Sequence, residues 1–229
     1  MRSSAILVCF AVLAGCAGPQ RSTDLAEHPP GDWHAFILPG KRATQYSVSQ
    51  SDGRWRVHAR ADRSASLWRR KLHEAAASPT RLRFSWRVDR LIDDADLTDA
   101  DRADSPARLV VAFDGDHSRL SPRTRMMFEL AEALTGETPP YATLMYVWDN
   151  RLPVESIVRG ARSDRVRKIV LESGAAHLGR WCAHERDVVQ DYRRAFGEDP
   201  GRVIGVALMT DADNTQGVAE AWYGDIDLR

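Results

Sequence analysis

Apolar residues recur at every second position over several stretches of this chain. Arg81–Val88 alternates strictly: Leu82, Phe84, Trp86 and Val88 point one way, and Arg81, Arg83, Ser85 and Arg87 the other. That period predicts a half-buried strand. Trp55, Val57 and Ala59 alternate in the same way against Arg54, Arg56, His58 and Arg60. Residues 109–113 and 143–148 are continuous apolar runs, the pattern of strands covered on both faces. Residues 166–171 and 203–209 read as two more strands. Near the C-terminus the alternation puts Trp222, Gly224, Ile226 and Leu228 inward, and Tyr223, Asp225 and Asp227 outward. Trp55, Trp86 and Trp222 are accordingly expected in the core. Two helices are predicted. One spans 123–134, with Met126, Met127, Leu130 and Leu134 on one stripe. The other is capped by Asp187, carries Val188, Tyr192 and Phe196 along one side, and ends at Gly197. Residues 93–106 hold six Asp and read as a long exposed loop. Many strands with few helices predict a mainly β fold, a two-sheet jelly-roll-like sandwich with two short helices. A parallel βαβ sheet would need a helix after almost every strand.

Composition narrows the function classes. The 43% apolar content and seven Trp oppose disorder. Lys plus Arg and Asp plus Glu balance at 32 each, which disfavours a broadly basic nucleic-acid binder. The N-terminus has a different character. Arg2 precedes an apolar stretch over 5–14 that is too short to span a bilayer as a mature helix. Leu13-Ala14-Gly15-Cys16 then resembles the lipobox of a bacterial lipoprotein signal. On this reading residues 1–15 are removed and Cys16 carries the lipid. Each buried acyl methylene contributes about 0.8 kcal/mol, so two or more chains anchor the protein stably. Residues 16–32, with Pro19, Pro29 and Pro30, form a tether to a single domain over 33–229. Ala17 after the lipidated residue, where Asp would signal inner-membrane retention, favours the periplasmic face of the outer membrane. An ordinary secretory signal with an incidental Cys16 is the alternative. Cys9 leaves with the signal, so Cys182 remains without an intrachain partner.

Five segments together resemble one bacterial family. They are 107–116 (ARLVVAFDGD), 142–150 (ATLMYVWDN), 186–197 (RDVVQDYRRAFG), 206–215 (VALMTDADNT) and 221–226 (AWYGDI). The family is known as domain of unknown function 3047, and the resemblance covers about 33–228. It implies an envelope location and a single domain, and it supplies no catalytic residue. A looser likeness links the C-terminal strand and the region 179–197 to jelly-roll carbohydrate-binding modules.

Several constellations are candidates for chemistry. Asp114 and Asp116, Asp149 and Asn150, and Asp211, Asp213 and Asn214 all follow strand-like segments. If these ends share a rim, their oxygens suit Ca²⁺. Asp and Asn also simply close turns. Residues 211–217 are no EF-hand, since Gln216 and Trp222 replace the required Gly and Glu. Glycan binding needs aromatic faces beside polar groups. Trp148 next to Asp149 and Asn150, together with Tyr223, Asp225 and Trp68, has that composition, against the alternative of core packing. Asp225 and Asp227 share a strand face, compatible with the roughly 5–9.5 Å carboxylate spacing of glycosidases. His177, Cys182 and His184 have an H-x₄-C-x-H spacing, but no CxxC or HExxH accompanies them, and scattered histidines explain them equally. No Gly-x-Ser-x-Gly occurs. The Arg faces could meet anionic polymers or lipid headgroups, or only solvent.

The expectation is a lipid-anchored envelope binding module, non-catalytic, with a glycan or cell-wall ligand and structural calcium. The alternatives are an envelope glycoside hydrolase using paired Asp, and a protein-assembly lipoprotein without a small ligand.

Overall fold

A computed structural model describes residues 32–229 except 52 and 73–79. The expected signal segment, Cys16 and nearly all of the expected tether fall outside the described residues. Among the described residues, no helix is long and apolar enough to cross a membrane.

Among the described residues, twelve strands form two sheets packed face to face. The larger contains β1 (Trp33–Ile37), β4 (Ala65–Lys71), β6 (Ser105–Phe113), β7 (Ala142–Asp149), β8 (Ile157–Arg159), β9 (Val166–Ser173) and β11 (Val203–Asp211), in the order β1-β4-β11-β6-β7-β9-β8. The smaller contains β2 (Gln45–Ser51), β3 (Arg54–Asp62), β5 (Arg81–Val88), β10 (Cys182–Asp187) and β12 (Val218–Leu228), in the order β10-β5-β12-β3-β2. All ladders are antiparallel except β7 with β9. The expected sandwich is therefore present.

The strict alternation of β5 does what its period requires. Leu82, Phe84, Trp86 and Val88 are buried between the sheets, while Arg81 and Arg83 are exposed. The central strands β6, β7, β9 and β11 are buried on both faces, which is why they read as unbroken apolar runs. Their inner side supplies Leu109, Val111, Leu144, Tyr146, Trp148 and Leu208 to one core with Phe84, Trp86 and Tyr223.

The C-terminal strand departs from its expected phase. Tyr223 points inward and is fully buried, while Trp222 lies half-buried on the outer face, stacked on His58 at 4.9 Å. A bulge between Gly224 and Asp227 is the cause, with Asp225 at φ 54°. One extra residue reverses the side-chain parity, so Ala219, Ala221 and Tyr223 face in before it, and Ile226 and Leu228 face in after it.

The second helix, α2 (Val188–Phe196), forms as expected. Asp187 accepts from the Val189 and Gln190 amides, and Gly197 closes it at φ 74°. The first, α1 (Pro122–Thr135), starts at Ser121 with Pro at its first turn. Its apolar stripe faces solvent, with Leu130 61% exposed, and does not pack on the core. The helix is instead held by Thr124, whose hydroxyl donates to Asp164 at 2.9 Å, and by Phe128, edge-on to His117. The acidic segment 93–106 is also less exposed than expected. Ile92, Ala95, Leu97, Asp96 and Asp104 are buried, and Asp96 accepts from the Thr98 amide and hydroxyl.

Candidate functional site

The ladder directions decide where the acidic strand ends lie. β6 and β11 are antiparallel, with Phe113 opposite Val203 and Ser105 opposite Asp211. Asp114 and Asp116 therefore sit at one end of the sandwich. Asp211 and Asp213 sit at the other, about 27 Å away at roughly 3.4 Å per residue. Asp149 lies at the Asp211 end, because β7 runs antiparallel to β6. The single calcium rim is thus corrected to two separate ends. Asp114 accepts from the Gly115 amide, and Asp116 caps the turn His117–Arg119 through the Ser118 amide and hydroxyl. At the far end, carboxylate oxygens of Asp104, Asp211 and Asp213 lie within 4.8 Å of one another. That group already has cations of its own: Asp213 pairs with Lys41, and Asp211 takes two bonds from Arg108 at 2.8 Å.

Lys168 is buried beside the same group, and burial first, then Arg108, pushes its amine down to about 7. Between that value and the ordinary lysine range the unfolded chain binds a proton that the folded chain does not. Stability is therefore lost as pH falls from about 10 toward 7. Chemical unfolding of the wild type from pH 7 to 9.5 should show stability rising by on the order of 1 kcal/mol or more. Lys168→Met should flatten that slope; an unchanged slope would show the amine to be solvated.

The expected sugar platform is also corrected. Trp148 is fully buried, its indole donating to the Gly174 carbonyl at 3.1 Å, because it shares the inner face of β7 with Leu144 and Tyr146. Asp149 accepts from the Arg151 and Leu152 amides at 2.8 and 2.6 Å, and Asn150 donates to the Ile92 carbonyl at 2.7 Å. Both close turns. The Tyr223 hydroxyl bonds to the Met209 carbonyl and the Thr210 hydroxyl at 2.8 Å. Trp68 stacks on Tyr46 between the sheets.

Asp225, in contrast, lies at an opening. The pairing of β12 with β3 stops at Gly224 opposite Arg56, while its pairing with β5 continues to Leu228. The smaller sheet splays at this point, and a cavity of about 740 Å³ opens between Trp55, Phe84, Tyr223 and Ile226 on one side and Trp33 and Arg70 of the larger sheet on the other. Arg54, Arg83, Glu185, Asp225 and Asp227 form its charged rim. Asp225 accepts from Ser85 Oγ at 2.9 Å and from Arg56 at 3.3 Å. Gly224 allows this approach, since a Cβ there would lie 2.3 Å from the Arg56 guanidinium. Arg83 donates to Glu185 at 2.8 Å and holds that carboxyl below its ordinary range.

Aromatic rings continue from the rim across the outer face. The Arg56 guanidinium lies 4.5 Å from the ring centre of Trp181, which is 42% exposed. Trp222 sits between His58 and Arg87, whose guanidinium is 5.4 Å from the ring. Trp181 and Trp33 were not among the expected site residues, since neither belongs to a periodic stretch. The outward row Arg54, Arg56 and His58 was legible in the alternation of β3.

At the β10 edge of the smaller sheet, where His184 also lines the cleft, His177 and Cys182 meet Glu172 of β9, whose carboxylate points between the sheets. Burial and the facing Glu172 push the Cys182 thiol up to about 11.

No curated protein matches the chain in sequence. Among solved structures the fold is similar to the xyloglucanase domain of NopAA, a type three effector from Sinorhizobium fredii, at 10% identity over 86% of this chain and 93% of that one, with a TM-score of 0.43. It is also similar to the family 11 carbohydrate-binding module of cellulosomal cellulase Lic26A-Cel5E of Clostridium thermocellum, at 9% identity, 86% of each chain and a TM-score of 0.39. A third is the family 11 xylanase from Neocallimastix patriciarum, at 10% identity, 86% of this chain, all of that one and a TM-score of 0.36. A family profile, described as protein of unknown function DUF3047, matches residues 31–227, and the chain belongs to that family.

Proposed function

We propose that this chain is a non-catalytic binding module, held at the bacterial envelope by lipid on Cys16, whose cleft takes a glycan or cell-wall saccharide. The observation that carries the reading is the cavity of about 740 Å³ with Trp33 and Trp55 in its walls and paired Arg and Asp on its rim. Its volume falls in the range of small-ligand sites, and its apolar walls with a few convergent polar groups match what such sites need. A sugar offers both an apolar ring face and hydroxyls. Indole rings meet the former, while Arg54, Arg83 and Asp225 donate to or accept from the latter. The lipid anchor is supported by Leu13-Ala14-Gly15-Cys16 and its apolar leader.

A second reading, glycoside hydrolysis, has one observation in its favour: Asp225 and Asp227 both reach the cleft. A general acid needs a raised pKa. Glu185, the other carboxylate at the rim, is shifted the opposite way by Arg83.

Calorimetry of purified protein with saccharides retained on a glycan and peptidoglycan-fragment array tests the proposal. Trp181→Ala and Asp225→Asn should each weaken binding tenfold or more, the effect of losing one interface anchor. Leu130→Glu on the exposed face of α1 should leave affinity unchanged. Retention of no saccharide by folded wild type would sink the proposal. Release of reducing ends that Asp225→Asn abolishes would establish the hydrolase instead.

A further inference from the structure

Glu172, His177, Cys182 and His184 lie on three consecutive pieces of chain: the end of β9, the crossover loop, and the start of β10. In sequence they read E-x₄-H-x₄-C-x-H. The crossover carries the chain from the next-to-last strand of the larger sheet to the edge of the smaller one. A shift of register between Val147 and Trp148 aligns Glu172 with the inward-facing Trp148, so the carboxylate points between the sheets. Inward-facing positions of β10 bring Cys182 and His184 to the same place, opposite Trp86 and Phe84.

The donor atoms converge. His177 Nδ1 is 2.6 Å from Glu172 Oε2, and His184 Nε2 is 3.4 Å from Glu172 Oε1. One donor atom each from Glu172, His177 and Cys182 lie within 4.8 Å of one another. The His184 ring is wedged against Phe84 and Trp86, and its Nε2 is buried without a hydrogen-bond partner. An orphaned imidazole nitrogen aimed at a carboxylate, beside a thiol and a second imidazole, forms a mixed N, S and O donor set.

We propose that these four side chains bind one Zn²⁺-class divalent cation that staples the two sheets at the β9–β10 crossover. Thiolate and imidazole donors suit zinc and oppose Ca²⁺ or Mg²⁺, which take oxygen. Tetrahedral zinc with bonds of about 2.0–2.3 Å holds its donors roughly 3.3–3.8 Å apart, so Glu172, His177 and Cys182 close on the metal by about 1 Å, and His184, beside Glu172 but outside that trio, moves further to complete the shell. His177 has a side chain 54% exposed and supplies the mobile arm, while Glu172 is already held in place. Four protein donors complete the shell, so the site is structural. Trp181 adjoins Cys182 in the chain, so the metal also fixes the position of that ring.

The test uses the full chain without an affinity tag, carrying Cys9→Ser and Cys16→Ser so that Cys182 is its single thiol. After chelation and dialysis, Co²⁺ titration should give a thiolate-to-cobalt charge-transfer band saturating at one equivalent, which Zn²⁺ then displaces. Zn²⁺ at a hundredfold excess over Kd should raise the melting temperature by roughly 5–10 °C. Cys182→Ser should abolish the charge-transfer band, and His177→Ala should weaken Co²⁺ binding at least tenfold. Circular dichroism checks that each variant is folded, and His177, being exposed, keeps the test open if Cys182→Ser is not. Folded protein with neither band nor thermal shift, or metal binding that both variants leave unchanged, would overturn the proposal.

Discussion

Asp211→Ala should destabilise the protein by about 3–5 kcal/mol, the cost of leaving one member of a buried ion pair alone. Arg108 donates to both Asp211 oxygens, from Nε and Nη2, at 2.8 Å each. Both side chains are more than nine-tenths buried. Asp211 also accepts from the Ser105 amide at 3.1 Å, and Arg108 donates to the Ala103 carbonyl. The pair therefore ties β6, β11 and the end of the acidic segment together. Truncating Asp211 strands a guanidinium that cannot neutralise itself, since arginine keeps its proton at any accessible pH. The double variant Arg108→Met, Asp211→Leu removes both charges and should recover much of the loss, because desolvation offsets most of the attraction in the native pair. Urea midpoints of the two variants decide the matter. A loss below about 1 kcal/mol for Asp211→Ala would mean that water reaches the pair.

Trp148→Ala should cost a similar amount, about 3–5 kcal/mol, and lower the melting temperature by roughly 10 °C. Trp148 is completely buried, packs 6.3 Å from Trp86, and donates to the Gly174 carbonyl. Its removal leaves a cavity and an unpaired carbonyl at the junction of the two sheets. Saccharide affinity of the fraction that remains folded should be unchanged, since Trp148 is not part of the cleft lining. A variant of normal stability that loses binding would return Trp148 to the role of ligand platform.

The contrast between Trp148 and Trp181 shows what the chain's pattern makes legible. Alternation finds strands with one wet face, so β3 and β5 were evident from Arg54–Asp62 and Arg81–Val88. Runs buried on both faces were equally clear in β6, β7 and β11, but such runs conceal which side chains point where. The edge strand β10, CAHERD, alternates in burial with Cys182 and His184 inward, but its polar residues give it no apolar run. In β12 the alternation was real, yet the bulge at Gly224 reversed its phase, and with it the fates of Trp222 and Tyr223. The stripe on α1 is a true helical period that nothing among the described residues covers. For the acidic tips the missing quantity was strand direction: two antiparallel neighbours end at opposite ends of a sheet, so acids following β6 and β11 cannot share a rim. Asp225 is an expected site residue that lies at the cleft, but Trp181 and Glu172 gain meaning only from contacts across the sandwich.

The cleft as the place of ligand contact is tested most directly by hydrogen–deuterium exchange of the protein with and without a saturating saccharide mixture from the bacterial envelope. Protection should be confined to 33, 53–57, 70, 83–84, 181–186, 208 and 222–228, the positions that line the splay and its aromatic rim. Protection centred on α1, or on the Asp104–Asp211 end with none at the splay, would contradict the account.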